Sequence, residues 1–336
     1  MTTVCRMPAT LSVAICAYTL DRWDDLCAAV ESVLAQRRPP DELLLVVDHC
    51  PELARRAVEC LPSTVRVVDN RQQQGLSGGR NTAVAVANGE VIAFLDDDAV
   101  ADADWTTRLL AGYRGPEVLG VGGLVRAWWE TGRPGWFPAE FDWVVGCSYT
   151  GLPESGSAVR NFIGANMSFR RAEVLAAGGF RLDLGRVGTR PSGCEETELC
   201  IRITARNPGS VLRYEPGAAV RHHVPRQRTT WAYFRSRCYA EGGSKAVVAR
   251  HRGTGPALAS ERRYLWRVVP VALARSLLHA ELRTAAALCA GVGTTVAGYA
   301  VGRAGGRRRR PAGPSRLLSF PAGSSDPAGR SARSRP

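Results

Sequence analysis

The first hundred residues alternate between short, nearly continuous apolar runs and segments whose apolar residues recur every three to four positions. Such runs are typical of strands that are covered on both faces, and the longer spacing is typical of helices with one buried stripe. The predicted strands are, in chain order, residues 11–17, 42–48, 64–69 and 91–96, with a helix in each interval. This alternation predicts an α/β fold, in which a Rossmann-like, mostly parallel sheet is flanked by helices.

Ligands of such sheets bind beyond the carboxyl ends of the strands. We therefore expect one cleft to be lined by the residues that follow Ala17, Val47, Val68 and Leu95. Downstream the apolar pattern is more mixed, and it predicts strands at 118–129, 159–169, 211–215 and 219–224, then a helix from about 229 to 250.

A helical extension is predicted over residues 251–302. Four basic residues recur along one helix face: Arg267, Arg275, His279 and Arg283. Residues 284–302 carry no charge but consist mainly of Ala, Gly and Thr, so they are less apolar than a typical membrane span of about 20 residues. The favoured interpretation is a helix that lies on an anionic membrane surface, and the alternative is a helical hairpin packed on the core.

The net charge of +13 is concentrated near the carboxyl terminus, where residues 303–336 hold nine arginines and one acid. The high Arg, Pro, Gly and Ser content predicts a disordered tail over these residues. The rest of the chain is only mildly basic, so we expect no nucleic-acid partner. The ten cysteines are scattered without a CxxC pair, which is typical of reduced thiols in a cytoplasmic protein. We therefore expect a cytoplasmic protein that contacts the inner face of the cell membrane.

Three adjacent acids, Asp96, Asp97 and Asp98, follow the fourth predicted strand. Neighbouring carboxylates repel one another, and a divalent cation offsets that repulsion by accepting oxygen ligands. A solvated turn that caps the next helix is the alternative. The position at the predicted cleft favours the metal site.

A second acidic group, Glu195 and Glu196, begins a predicted helix, with Ser192 or Gly193 as its cap. The helix dipole there favours the ionised carboxylate, which suits a general base at pH 7. An ordinary acidic helix start is the alternative. Further on, His222 either approaches the cleft as an extra metal or phosphate ligand or is a buried, hydrogen-bonded histidine.

A glycine-rich segment, residues 73–81, precedes a predicted helix and contains Gly79 and Arg80. Its glycines permit close approach of the backbone to a ligand, and Arg80 is a fixed cation that suits a diphosphate or a base. A plain glycine loop is the alternative.

Six segments, taken together in order and spacing, resemble family 2 glycosyltransferases with the GT-A fold: AICAYTLDR, VVDHC, GLSGGRN, FLDDDA, GANMSFRR and GCEETELCIRI. The resemblance covers roughly residues 11–250 and makes residues 1–250 a GT-A domain. It implies donor-binding residues at Ala17, Tyr18, Asp48, Gly79, Arg80, Asp96, Asp97, Gly164 and Asn166. It also implies a divalent metal, Mn²⁺ or Mg²⁺, at Asp98 and Asp96, to which we add His222, and a catalytic pair at Glu195 and Glu196.

The activity that the resemblance implies is inverting transfer of a sugar from a nucleotide-diphosphate sugar to an acceptor hydroxyl. The family's catalytic pair is usually Glu-Asp, whereas this chain has Glu195–Glu196, and its first strand is followed by AYT in place of the common TYN. The favoured acceptor is lipid-linked or a cell-envelope glycan, with a small molecule or a protein left open. The alternative function is a non-catalytic or nucleotidyltransferase-like protein that binds nucleotide sugars.

Overall fold

The structure is a computed structural model, and it describes residues 10–153, 156–188 and 193–306. The predicted tail over residues 303–336 is described only in its first four residues, which continue a helix. Residues 307–336 lie outside the described part of the chain.

The amino-terminal part confirms the predicted alternation of strands and helices. In chain order it consists of β1 (Leu11–Ala17), α1 (Trp23–Leu34), β2 (Glu42–Val47), α2 (Pro51–Cys60), β3 (Val65–Asp69), α3 (Leu76–Val86) and β4 (Val91–Asp96). Pro51 lies in the first turn of α2, where a missing backbone N–H is not needed by the helix. The apolar period is a local property of the sequence, so it locates these elements to within a few residues.

The middle of the chain differs in detail from the predicted strands. It consists of β5 (Ala99–Ala101), α4 (Trp105–Ala111), β6 (Val118–Trp129), β7 (Ala158–Val159), β8 (Asn166–Arg170), α5 (Arg171–Ala176), α6 (Glu195–Arg206) and β9 (Val211–Val224). The predicted strand at 159–169 is two short strands, because the chain leaves the sheet between them and brings the Gly164 carbonyl to Arg80. The predicted strands at 211–215 and 219–224 are one continuous strand, β9.

Nine strands of the described residues form one sheet in the order β3-β2-β1-β4-β8-β6-β9-β5, with β7 paired to β9. β1 is central to the parallel part, since Ile15 is in register with Leu45 of β2 and Leu95 of β4. β8 runs antiparallel to both β4 and β6, so the sheet is mixed beyond its parallel amino-terminal half. The carboxyl ends of β1, β2 and β4 consequently meet at one edge.

Both faces of the sheet are covered by apolar cores, as the continuous apolar runs predict. On one face Val13 and Ile15 pack with Leu26 of α1 and Leu109 of α4. On the other face, residues of α3, α5 and α6 pack against the alternate strand positions, among them Val84, Val174 and Leu199. Two-sided burial holds the strand ends, and hence the side chains that follow them, in fixed positions.

The carboxyl-terminal part is helical. It consists of α7 (Trp231–Arg252), α8 (Thr254–Ala257), α9 (Ala259–Arg263), a π-helical turn (Tyr264–Val268), α10 (Val269–Leu278) and α11 (Leu282–Gly306). A Cβ atom at Gly298 of α11 would lie 2.0 Å from the Tyr239 carbonyl oxygen of α7, and one at Gly242 of α7 would lie 2.0 Å from the Thr295 carbonyl oxygen. Only glycine permits this close crossing of α7 and α11.

One helix among the described residues, Leu282–Gly305, is long and apolar enough to cross a bilayer by its length and composition. Only 28% of its most apolar window is buried in the protein. One face of α11 thus packs on α7 while apolar residues on other faces stay exposed, among them Val296 and Val301. Both interpretations of the extension therefore have support in the packing.

Candidate active site

A cavity of about 330 Å³ opens at the carboxyl ends of β1, β2 and β4. It is lined by all but one of the residues to which the sequence assigns a role: Ala17, Tyr18, Asp48, Gly79, Arg80, Asp96, Asp97, Asp98, Gly164, Glu195, Glu196 and His222. These residues come from segments up to about 200 positions apart. Their convergence agrees with the cleft expected at the ends of β1, β2 and β4, whereas the residues that follow Val68 at the end of β3 do not line the cavity.

Asn166 is the residue that the structure does not bring to this cavity. Its side chain is fully buried, accepts a hydrogen bond from Trp105 Nε1 at 2.8 Å, and donates to the carbonyl oxygens of Leu124 and Ala218 at 3.0 and 2.8 Å. The amide therefore fixes the start of β8 against β6 and β9. Its expected contact with the donor has no support in this geometry.

The acidic trio is held by cations of the chain itself. Arg22 contacts Asp97 Oδ2 at 2.9 Å and Asp98 Oδ2 at 2.8 Å, and Arg228 Nη2 lies 3.3 Å from the same Asp98 oxygen. From the sequence we expected a metal ion to offset the repulsion between these carboxylates. The structure shows that arginines of the chain take part in this role: Arg22 before α1 and Arg228 after β9 pair with Asp97 and Asp98, and Arg80 of α3 contacts Asp96.

The buried acids differ in their protonation. Burial raises the pKa of Asp97 to about 7, with the charges of Asp98 and Asp96 adding to the rise. Burial opposes ionisation of Asp98 as well, but His222, Arg228 and Arg22 outweigh it and hold the pKa of Asp98 well below its usual range. Asp98 therefore remains a carboxylate at neutral pH.

Three side chains form a group whose chemistry suits a divalent cation. Asp96, Asp98 and His222 each offer one ligand atom, and these three atoms lie within 4.8 Å of one another. Two carboxylate oxygens and one imidazole nitrogen match the preferences of Mn²⁺, which accepts both hard oxygen ligands and histidine. His222 lines the cavity and its Nε2 lies 3.0 Å from Asp98 Oδ1, but the residue is also buried and hydrogen-bonded, so the geometry agrees with both alternatives given for it.

Burial would lower the pKa of His222, but the adjacent Asp98 carboxylate raises it well above its ordinary value. The imidazole must release its proton before the ring nitrogen can bind a metal ion.

Arg80 joins three walls of the cavity. It is almost fully buried, and its guanidinium contacts Glu195 Oε1 at 2.7 Å, Asp96 Oδ1 at 3.3 Å and the Gly164 carbonyl oxygen at 3.0 Å. A Cβ at position 164 would lie 3.0 Å from Arg80 Nη2, which explains the glycine there. At Gly79, a Cβ would lie 3.4 Å from Cys16 Sγ, where α3 passes close to β1.

Asp48 lines the cavity and also anchors the loop before α3. Its Oδ1 accepts a hydrogen bond from Asn70 Nδ2 at 2.6 Å, and its Oδ2 accepts one from the Gly75 amide at 2.9 Å. Gly75 has a φ of +130°, a conformation that favours glycine. The glycine-rich segment is thus held against the strand end by the aspartate.

Glu195 and Glu196 start α6 as predicted. The cap position is Cys194, with a φ of +69° and no side-chain cap, and not the expected Gly193, while Ser192 lies outside the described residues. Glu195 pairs with Arg80. Glu196 accepts a hydrogen bond from Thr197 Oγ1 at 3.1 Å and makes no recorded ion pair among the described residues. Of the two carboxylates, Glu196 is the one that is not committed to an arginine.

The expected ionisation of Glu196 by the helix dipole is not what the structure shows. Burial, together with the charges of Glu195 and Glu241, raises the pKa of Glu196 to about 8. The dipole effect near a helix end is worth only about 0.3–1 kcal/mol, less than burial beside two acids. A carboxylate with this pKa accepts a proton more readily than an ordinary glutamate does.

Several charged residues that are not among the predicted site residues also line the cavity. We call Arg160, Arg237, Glu241, Lys245 and Glu261 the inner charged cluster. Lys245 Nζ lies 2.8 Å from Glu261 Oε1 and 3.3 Å from Glu241 Oε1. A basic strip on α7 that includes Arg237 and Lys245 is visible in the sequence, but the glutamates that accompany it come from two different helices.

Comparison with known proteins places this site in context. Residues 12–174 match the family model described as glycosyl transferase family 2. The chain is 36% identical over 241 residues to the glucosyl-dolichyl phosphate glucuronosyltransferase of Haloferax volcanii, covering 71% of this chain and 77% of that protein. It is 28% identical over 254 residues to the succinoglycan biosynthesis protein ExoM of Rhizobium meliloti, covering 73% and 77%.

The fold is similar to that of a mannosyltransferase from Pyrobaculum calidifontis, solved in complex with GDP-Man and Mn²⁺. The TM-score is 0.57 at 21% identity, and the match covers 89% of this chain and 86% of the other. This likeness confirms the predicted GT-A fold. The sequence similarity to the archaeal enzyme spans more than two thirds of both proteins and confirms the resemblance seen in the motifs, and so the chain belongs to glycosyl transferase family 2.

Proposed function

We propose that this glycosyltransferase moves a sugar from a nucleotide-diphosphate sugar to an acceptor hydroxyl, with inversion at the anomeric carbon and with Glu196 as the general base. The observation that carries the proposal is that Glu196, which forms no ion pair with another described residue and has a raised pKa, lines the same cavity as Asp96, Asp98 and His222. One base at one site supports a single displacement, which inverts the configuration.

In this reaction the acceptor oxygen forms a bond to the anomeric carbon while the bond from that carbon to the diphosphate oxygen breaks. The hydroxyl proton passes to the Glu196 carboxylate. Arg22 and Arg228 line the cavity and pair with Asp98, and the N–H groups that the acids do not occupy would stabilise the negative charge that develops on the diphosphate. Arg80 contacts both Glu195 and Asp96, so it joins the two sides of the cavity on which these acids lie.

Asp96, Asp98 and His222 would hold a divalent cation, Mn²⁺ or Mg²⁺. When bound, such an ion supplies Lewis-acid stabilisation of the leaving diphosphate. The structurally similar mannosyltransferase was solved with Mn²⁺, and this supports the proposed metal dependence.

For the acceptor we propose a lipid-linked sugar, used at the cytoplasmic face of the membrane. The archaeal relative is named for a glucosyl-dolichyl phosphate substrate. The helical extension of this chain exposes large apolar side chains, of which Trp266 and Leu278 are 81% and 84% exposed. Exposed aromatic and apolar residues beside the exposed basic residues Arg267 and Arg283 are typical of helices that bind anionic membrane surfaces.

The test is a panel of UDP-, GDP- and dTDP-sugars, UDP-glucuronic acid among them, each with Mn²⁺, in which nucleotide release and sugar transfer are measured. We expect turnover with one donor class and loss of transfer in Glu196→Gln with donor affinity retained. Glu52→Gln, an exposed glutamate of α2, is the matched control. Full turnover by Glu196→Gln would place the base elsewhere, and donor binding without any turnover would support the non-catalytic alternative.

A further inference from the structure

We infer that Arg186 binds the carboxylate of an acidic donor sugar, so that the donor is a nucleotide-diphosphate uronic acid and Arg186 is a residue that determines this specificity. The inference rests on the proposed function, because it names the chemical class of the donor for the same cavity. Two observations carry it: Arg186 is a cation of the cavity wall that no acid of the described chain compensates, and its segment is fixed against α3 and Glu195.

Arg186 is the exception among the basic side chains that line the cavity. Each of the others lies within 4.0 Å of an acidic side chain: Arg22, Arg80, Arg160, His222, Arg228, Arg237 and Lys245. Arg186 is partly buried, and its side chain forms no ion pair or hydrogen bond with the residues that the structure describes. The cations of the inner charged cluster are thus already paired within the protein, whereas the N–H groups of the Arg186 guanidinium are free to bind a ligand.

The chemistry of this side chain favours an anion as that ligand. Burial removes part of the water that stabilises a charge, so a partly buried cation without a counter-ion is unfavourable. An arginine does not relieve this cost by losing its proton, because its guanidinium stays charged in proteins. A carboxylate compensates the charge and accepts two parallel hydrogen bonds from the guanidinium, which are stronger and more specific than a hydrogen bond to a hydroxyl group.

The segment that carries Arg186 is fixed on one side of the cavity. The Leu76 amide at the start of α3 donates a hydrogen bond to the Arg186 carbonyl oxygen at 2.9 Å. The preceding residue, Gly185, packs on the catalytic pair, since a Cβ there would lie 3.5 Å from Glu195 Cδ. Arg186 therefore belongs to the side of the cavity formed by α3 and the start of α6.

The diphosphate of the donor has other cations. Arg22 and Arg228 pair with the acidic trio, where the proposed reaction develops charge on the leaving group. The donor sugar lies between that diphosphate and the glutamates of α6, because its anomeric carbon is bonded to the one and is attacked by the hydroxyl that Glu196 deprotonates. A cation on the α6 side thus faces the sugar. A neutral hexose offers it only hydroxyl groups, whereas a uronic acid offers a carboxylate.

The experiment compares donors that differ in one group of the sugar, a carboxylate in place of a hydroxymethyl group. The pairs are UDP-glucuronic acid with UDP-glucose, and GDP-mannuronic acid with GDP-mannose. Dissociation constants are measured by calorimetry with Mn²⁺ and without an acceptor. The variants are Arg186→Gln, which removes the charge, Arg186→Lys, which keeps it, and Arg206→Gln. Arg206 is an exposed arginine in the last turn of α6 and does not line the cavity, so it is the matched control.

We expect the unmodified protein to bind one uronic acid donor at least about tenfold more tightly than its neutral partner, the usual effect of charge-assisted hydrogen bonds. Arg186→Gln should weaken binding of that donor about tenfold and binding of the neutral partner less than about twofold, and so abolish the preference. Arg186→Lys should retain part of the preference, and Arg206→Gln should retain all of it.

Three results would overturn the inference. Equal losses for both members of a pair in Arg186→Gln would assign Arg186 to the diphosphate. Failure of the unmodified protein to bind either uronic acid donor more tightly than its neutral partner would remove the acidic sugar. A preference that survives Arg186→Gln would place the carboxylate on another residue.

Failure of this inference is distinguishable from failure of the proposed function, because binding requires no turnover. An Arg186-dependent preference for a uronic acid donor without turnover of any donor would leave the donor class standing and refute the transferase mechanism. Turnover of a neutral donor, with no change in the preference in Arg186→Gln, would refute the inference and leave the transferase mechanism standing.

Discussion

The raised pKa of Glu196 makes a quantitative prediction about the pH dependence of transfer. With a pKa of about 8, the base is about 10% ionised at pH 7 and about 90% ionised at pH 9. If the ionised form is required, kcat/KM rises about ninefold over this range and then levels off. An ordinary glutamate, with a pKa near 4.5, would give a flat profile from pH 6 upwards.

The causes of the raised pKa can be tested one at a time. Burial has the largest effect, followed by the charges of Glu195 and Glu241. Glu241→Gln removes one negative charge, so it should lower the pKa of Glu196 and move the rising limb of the profile to lower pH. Glu196→Gln should reduce kcat by about 10²–10⁴-fold at every pH, the usual contribution of a general base.

The assay is initial-rate measurement from pH 6 to 9.5 at saturating metal and varied donor, with circular dichroism at each pH as the control for folding. Saturating metal separates the titration of Glu196 from that of His222, whose proton must leave before the metal binds. A profile that is flat from pH 6 to 9, or a rising limb that does not move in Glu241→Gln, would refute the assignment of the limb to Glu196.

Three further predictions concern the other contacts of the structure. Arg80→Met leaves buried carboxylates without their cation and should lower the free energy of unfolding by about 3–5 kcal/mol, measured by urea denaturation. Asp98→Ala, or removal of divalent metal with EDTA, should abolish transfer in the nucleotide-release assay, and metal-independent transfer would contradict the proposed metal site. Gly298→Ala should lower the melting temperature because its Cβ would meet the backbone of α7, whereas Gly293→Ala, with nothing within 4 Å of its Cβ, should leave it unchanged or raise it.

The parts of the fold that the sequence predicts are those that depend on local patterns. The runs at 11–17 and 91–96 are apolar throughout because both faces of these strands are buried, and they match β1 and β4. The division of 159–169 into β7 and β8 has no such signal, since it depends on the position of Arg80, about 80 residues earlier in the chain. The conformation of this segment therefore depends on a contact between residues that are far apart in the sequence.

The candidate site shows the same contrast between features that depend on local sequence and features that depend on distant residues. Asp96 and Asp98 could be placed at the cleft from their position after a buried strand, whereas His222 was left as either a ligand or a buried, hydrogen-bonded histidine. Arg22 and Arg228 could not be assigned, because their roles depend on reaching acids that are 76 and 130 positions away in the sequence. A general argument was nevertheless available: buried neighbouring acids require cations, and the chain supplies arginines where the sequence analysis considered a metal ion or a solvated turn.

The pairing of Arg80 divides the two glutamates of the proposed catalytic pair into one that is bound to a cation and one that is not. Glu195 is bound at 2.7 Å to a buried guanidinium that also contacts Asp96, so its charge is already compensated and its position is fixed. Glu196, one residue further along α6, shares that fixed backbone but forms no ion pair with Arg80, and burial beside like charges raises its pKa. The arginine therefore fixes the position of the proposed base relative to the acidic trio. Exchanging Glu196 for the family's usual aspartate alters the reach of the base by one methylene but leaves this division intact.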